Sequence, residues 1–408
     1  MQDIQSQTQS TPFGALPSLE SILSVQTPTL HHVPKGLRDA WASALGEVLA
    51  SLVTSPHQMD TWCKLFMLPR CLLFSPPRGG SSHWRDTLKT VRARIQKWQE
   101  GNLIELWEEV FSVDRKLKAR RSRPKPSGSS HFSGNAIRAR RAVSDGQYRK
   151  ALQSLSSAGL AQPSNEVLAE MLAKHPSSTH LSLPEDVPPP PIQFSSEEVV
   201  RALKSFPSGS APGPSGLRAN HLKQAVFCPS PDKGGRALSS LTSFVNLLCT
   251  GNIPSSVTPH LCGAILLPCK KKSGGLRPIA VGEVLRRLTS KCAARAAQYE
   301  ALDILAPLQL GVGISSGCEA IVHSVSNCLE DPTIPPDDRF ILMVDFSNAF
   351  NSVDRSALFR EVRHHTPSIS AWVECCYGSQ PILRLGDHTI PSSWVFSKAT
   401  LWGLWGLP

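Results

Sequence analysis

The chain has 408 residues, a length that allows two or three domains with cores of their own. A formal net charge of +11 and a pI near 9.2 favour a polyanionic partner. The eleven cysteines include no Cys-x-x-Cys pair and no Cys/His cluster at zinc spacing, no apolar run reaches membrane-spanning length, and no charged-then-apolar signal opens the chain. A disulfide scaffold, a zinc module and a membrane protein are therefore disfavoured, and reduced intracellular thiols are expected.

Residues 1–33 are rich in Gln, Ser, Thr and Pro and are expected to form a disordered tail. Residues 34–114 read as a helical module. Leu37, Trp41, Leu45, Val48, Leu49 and Leu52 share one face, and Leu88, Val91, Ile95 and Trp98 repeat the spacing, continued by Leu103, Leu106, Trp107 and Val110. A Pro- and Gly-rich break over 69–82 separates the two parts. Its tryptophans are read as core rather than as platforms for stacking bases. Residues 115–150 form a basic linker with twelve Lys or Arg against a single acid, Asp145. Arg120, Arg121, Arg123 and Lys125 lie in its densest part and are candidates for phosphate contact by counterion release. The same block suits a nuclear-targeting signal, or a solvated linker. Residues 151–191 combine a helical segment, with Leu152, Leu155, Val167, Leu168 and Leu172 as its apolar set, and a stiff spacer of prolines.

Beyond the spacer the signals sharpen. Ser195-x-x-Glu198 is a capping-box pattern ahead of the helical stripe Val199, Ala202, Leu203 and Phe206. A loop rich in Gly and Pro follows, Ala211-Pro-Gly-Pro-Ser-Gly-Leu-Arg218. A helix is expected over 237–248, a strand over 261–267, a basic turn over 270–275 and a second extended piece over 276–281. A hairpin with Lys270 and Lys271 at its tip and Arg277 on its arm has the charges to clamp a triphosphate. Arg286 and Arg287 lie on the next helix, where they face either a polynucleotide backbone or solvent. The apolar run 340–344 reads as a buried strand ending in Asp345, followed five residues on by Phe350. A carboxylate there needs compensation for its desolvation, which a hard divalent ion supplies. The alternative is an N-capping Asp and an ordinary core Phe.

Four stretches resemble, in order, motifs of the reverse transcriptases of non-LTR (LINE-type) retrotransposons. They are the loop at 211–218, the stretch Gly274-Gly-Leu-Arg-Pro-Ile-Ala-Val, the segment Gln309-Leu-Gly, and Asp345-Phe-Ser-Asn-Ala-Phe-Asn-Ser-Val-Asp-Arg355. Ser215 stands where the family more often has Asp. The resemblance implies an α+β fold, in which residues 192–394 form the fingers and incomplete palm of a right-hand polymerase with an antiparallel palm sheet. A helical, basic N-terminal region precedes it. The implied activity is RNA-directed DNA synthesis by two Mg2+ (or Mn2+) ions, with an RNA template, a DNA primer and deoxynucleoside triphosphates as partners. It assigns metal binding and catalysis to Asp345, nucleotide contact to Arg277 with Lys270 or Lys271, rejection of a ribose 2′-OH to Phe350, and a place beside the nucleotide to Phe346.

The family's glycine-rich Gln-Gly-Asp-Pro loop and its later aromatic-x-Asp-Asp hairpin are not found, and Asp354 is not a substitute for the missing acids. Residues 383–393 resemble the strand that leads to that loop; residues 395–408 do not. A coding of the family-like peptide Gly-Val-Gln-Gln-Gly-Asp-Pro-Leu-Gly-Pro-Leu-Gly, read one base later, yields Val-Phe-Ser-Lys-Ala-Thr-Leu-Trp-Gly-Leu-Trp, the sequence from Val395 to Trp405. An out-of-frame tail is therefore expected, and with it a chain that does not polymerise by itself. The competing reading is a non-enzymatic protein that binds nucleic acid through its basic segments.

Overall fold

The computed structural model describes residues 15–75, 84–121, 131–144, 146–162, 164–175, 182–207, 209–305, 307, 309–310, 314–345 and 353–391. In chain order the helices are α1 (Leu19–Ser24), α2 (Arg38–Thr54), α3 (Met59–Leu73), α4 (Trp84–Gln99), α5 (Leu103–Arg121), α6 (His131–Ser144), α7 (Tyr148–Ser156), α8 (Asn165–Ala173), α9 (Ser196–Lys204), α10 (Ala219–Val226), α11 (Pro231–Cys249), α12 (Thr258–Leu261), α13 (Val284–Leu305), α14 (Gly317–Glu330), α15 (Arg355–His365) and α16 (Ser370–Tyr377). The strands are β1 (Ala264–Lys270), β2 (Leu276–Gly282), β3 (Ile382–Leu385) and β4 (His388–Pro391). The fold is thus a mostly helical α+β arrangement with a small mixed sheet. It divides into two compact units, Met1–Pro126 with Ser215–Leu238, and Ser127–Pro214 with Ser239–Pro408. No helix among the described residues is long and apolar enough to cross a membrane.

The first unit is helical. Its core takes Trp41, Leu45, Leu49 and Leu52 from α2, Trp62, Phe66 and Leu72 from α3, Val91 and Ile95 from α4, Leu106 and Val110 from α5, and Leu222 from α10, all buried. Trp41, Trp62, Trp98 and Trp107 are core side chains here. Disorder does not extend through residue 33 as expected. The Ser18 hydroxyl caps α1 by accepting the Ser21 amide, and Leu19, Ile22 and Leu23 are buried. The chain then runs beside the end of α3, where Leu30 N–H donates to Leu73 O at 2.8 Å and Ser75 N–H to Pro28 O at 2.7 Å. A few apolar anchors suffice to order a segment whose average composition is polar. The break expected over 69–82 begins later than Pro69, because α3 continues through that residue to Leu73. An internal proline costs about 3 kcal/mol, which the burial of Leu65, Phe66, Leu68 and Leu72 offsets.

Ser215 and Gly216 open the part of this unit that returns from the Gly/Pro loop. Gly216 has φ +84°, and a Cβ there would sit 2.8 Å from Thr29 Cγ2, so glycine is required. The His221 ring is fully buried. Its Nε2–H donates to Leu30 O at 2.7 Å and its Nδ1 accepts the Arg218 amide at 3.3 Å. Both partners require a neutral ring, and burial pushes its pKa down to about 3.

The second unit holds the sheet, in the order β2-β1-β3-β4. β1 pairs antiparallel with β2 and parallel with β3, and β3 pairs antiparallel with β4. The antiparallel palm expected from the resemblance is not what the described strands form. Pro268 and Pro278 face each other, at a step where antiparallel partners need not exchange bonds. On the other side of β1, Ala161 N–H donates to Pro268 O at 2.8 Å and Lys270 N–H to Gly159 O at 3.0 Å. Ala264, Leu266, Leu276, Leu383, Leu385 and Ile390 bury one face of the sheet against Ala161 and Met171, with Val167 and Leu168 of α8 at the margin.

Other expectations are met only in part. Leu152 and Leu155 of α7 are exposed, and the small contact between α6 and α7 is made by Ala139, Ala142 and Ala151 instead. The basic linker is helical at both ends, since α5 runs to Arg121 and α6 spans His131–Ser144. The expected strand at 340–344 is not formed. Phe340, Leu342 and Met343 are 87, 80 and 89 % exposed. An apolar run becomes a strand only where an edge offers hydrogen bonds and a layer covers its face. Among the described residues no strand pairs with it.

Candidate functional site

The basic hairpin forms close to where the sequence places it, three residues later at its start because α12 occupies 258–261. Its tip is closed by Lys271 N–H donating to Gly275 O at 3.0 Å and Gly274 N–H donating to Lys271 O at 3.3 Å. Gly274 and Gly275 have φ of +90° and +71°, which an L side chain resists. Lys270, Lys271 and Lys272 are exposed, as is Arg277 on the β2 arm, opposite Cys269. The arm is anchored from α8. Glu170 accepts the Leu276 amide at 2.9 Å, and Lys174 lies 3.3 Å from the same carboxylate. The Leu276 amide, ahead of the nearby lysines, holds the Glu170 carboxyl below its usual range. The result is a glycine-closed β-arm that presents three ammonium groups and a guanidinium to solvent, with the Glu170 carboxylate at its base, a surface suited to phosphate oxygens.

The Gly/Pro loop reaches the base of this arm. Arg287 Nη2 donates to Ala211 O at 2.6 Å. A Cβ on Gly213 would meet the Glu283 Cα at 2.6 Å, so only glycine permits the approach. Two of the sequence motifs, the loop and the hairpin with its following helix, thus share one neighbourhood. Arg287 acts as a strut there, with its guanidinium also 5.7 Å from the centre of the Phe206 ring. Lys291 stands 5.4 Å from the same ring.

Arg286 corrects a further expectation. It faces neither solvent nor a polynucleotide: its side chain is buried, and Nη1 donates to Cys262 O at 2.5 Å. Nothing local in the sequence signals this, because the residues that surround it lie in α12–β1 and α16.

Asp345 ends the exposed run and makes no hydrogen bond or ion pair among the described residues. No group of three His, Cys, Asp or Glu among the described residues is placed to hold a metal ion. The donor set described does not fit a two-metal centre, and no catalytic step follows from it. Asp354 has a structural task as the N-cap of α15, accepting the Ala357 amide at 2.7 Å. Phe346, Phe350, Arg123, Lys125, the glycines at 311 and 313 and the tail from 395 to 408 lie outside the described residues. Arg120 and Arg121 fall in the last turn of α5. Arg138 and Arg140, on α6, are exposed. In comparisons with known proteins, no protein-family model matches this chain, and no curated protein matches it.

Proposed function

We propose that the chain is a fingers-and-partial-palm segment of LINE-type reverse transcriptase ancestry. On this reading it binds polyphosphate, as single-stranded nucleic acid or nucleoside triphosphate, without joining nucleotides by itself. The observation that carries this reading is the exposed quartet Lys270, Lys271, Lys272 and Arg277 on a glycine-closed arm. The order of the four motifs along the sequence supplies the ancestry. Nuclear residence belongs to the same proposal and rests on the basic block at 115–150.

The test is titration of a labelled RNA oligonucleotide over a range of salt. Binding at low salt is expected, with log affinity falling linearly in log salt. Reversing Lys270, Lys271 and Lys272 together to Glu should weaken binding at least about tenfold and flatten the slope by about 0.7 for each phosphate that is no longer neutralised. No binding at low salt, or an unchanged slope in the triple variant, overturns the reading. So does Mg2+-dependent primer extension by the purified chain that is lost in Asp345→Ala.

A further inference from the structure

α14 lies almost uncovered among the described residues. Apart from Gly317, Ala320 and Ser326, each of its fourteen residues is exposed. A helix this short is marginal in water unless an apolar face is packed against something. α14 has such a face. Cys318, Ile321, Val325 and Cys328 follow one another at steps of three, four and three, the seam spacing of a helix that pairs with another. Val322 and Leu329 widen the stripe. Ile321, Val322, Val325 and Leu329 are 42, 61, 38 and 40 % exposed. Ser324 and Ser326 border it, and the titratable groups Glu319, His323 and Glu330 fall on the far side of the helix. Single apolar residues on a surface need no account, but a continuous stripe does.

The stripe is complementary to itself. Set antiparallel about the level of residue 323, Cys318 meets Cys328 of a second copy and Ile321 meets its Val325, and each pair recurs across the two-fold axis. Charges agree with this direction. Glu319 comes level with Asn327 of the second copy, and Glu330 with its Ser316. Ser316, the N-cap, has φ +56° and makes no side-chain cap bond, so the first turn of α14 is open to an acceptor from outside, and a carboxylate is favourable there. A parallel pair would instead set Glu319 beside Glu319, Glu330 beside Glu330 and the two helix dipoles in the same sense. The uncharged borders also bear on the partner. A nucleic acid finds no cation along this stripe, and a charged peptide finds nothing to pair with.

We propose that α14 is the contact through which two copies of this chain associate. The two helices lie antiparallel about a two-fold axis, with Ile321 and Val325 of each copy at the centre and Cys318 facing Cys328. Pairing supplies the cover that a helix of this length needs. Two short helices bury less than the roughly 1,200 Å² of a standard interface, so the association is weak and depends on concentration.

The experiment uses the full reduced chain in sedimentation equilibrium, from low to several hundred micromolar. A monomer–dimer equilibrium is expected. Of the eleven cysteines only Cys318 and Cys328 are exposed, so a short bismaleimide reads the register without any substitution. The two lie about 15 Å apart along one helix, too far for such a linker to join them within a chain. A covalent dimer carrying a Cys318–Cys328 peptide pair should form. Val325→Glu should weaken the dimer at least about tenfold, because it places two carboxylates at the centre of the seam. Val325 is exposed in the single chain, so the variant's helix content and unfolding midpoint should not change. The proposal is overturned if the unaltered chain stays monomeric at every concentration, a result that needs no variant. It is also overturned if the dimer persists in Val325→Glu, or if the linker joins Cys318 to Cys318.

Discussion

Two stretches of this chain read as strands from sequence, and only one becomes a strand. β1 alternates buried and half-buried positions, finds β2 through a short glycine-closed tip, and gains β3 and residues 159–161 on its other side. The run at 340–344 is more uniformly apolar, yet it lies exposed and unpaired among the described residues. The difference lies in partners rather than in propensity. A strand's backbone donors and acceptors need a ladder and its side chains need a cover.

The sharpest way to break this contrast is one substitution made twice. Leu266→Ala removes a buried side chain from the sheet's core and should cost about 2–5 kcal/mol in denaturant unfolding of the second unit. Leu342→Ala, at an 80 % exposed position, should change stability by less than about 0.5 kcal/mol. Comparable effects at both sites would show that the run is covered in solution.

The return of the Gly/Pro loop belongs to the well-partnered side, and acid should expose that. His221 is held neutral, with its pKa lowered from 6.5 to about 3. Below pH 6.5 the unfolded chain takes up a proton that the folded ring refuses. Stability is therefore complete above 6.5 and is lost as pH falls toward 3, by about 1.4 kcal/mol per pH unit once the unfolded ring is charged. His221→Gln should lower stability at neutral pH by about 1–3 kcal/mol and lack that acid slope. An unchanged slope would move the acid sensitivity elsewhere.

The smallest effect compares two aspartates. Asp354→Ala removes the cap of α15 and should cost about 1 kcal/mol. Asp345→Ala should cost nothing measurable, since Asp345 makes no hydrogen bond or ion pair among the described residues. A drop in stability at Asp345 would show that its carboxylate has a partner after all.

These contrasts also mark what was legible beforehand. Local signals read well. The Ser195–Glu198 capping box is present in both directions, with Val199, Ala202 and Leu203 buried behind it. The hairpin follows from Lys and Gly at its tip. What failed depends on contacts distant in sequence. Arg286 looks like a surface arginine until α16 is folded beside it. α1 was hidden because Gln, Ser and Thr around it dilute Leu19, Ile22 and Leu23 in any window average. At the candidate site, the charges of the arm were legible and the roles of Arg286 and Arg287 as internal supports were not.

The parallel join between β1 and β3 has a consequence for how the second unit is made. Each hairpin is local and closes on the microsecond scale. The join is a two-residue match, Ala264 with Leu383 and Ile265 with Arg384. It connects positions roughly a hundred residues apart, so its loop-closure entropy must be met before any contact rewards it. During synthesis the first hairpin leaves the ribosome long before the second exists, and one side of β1 waits without its β3 partner. Folding of this unit should therefore be timed by the arrival and docking of residues 382–391.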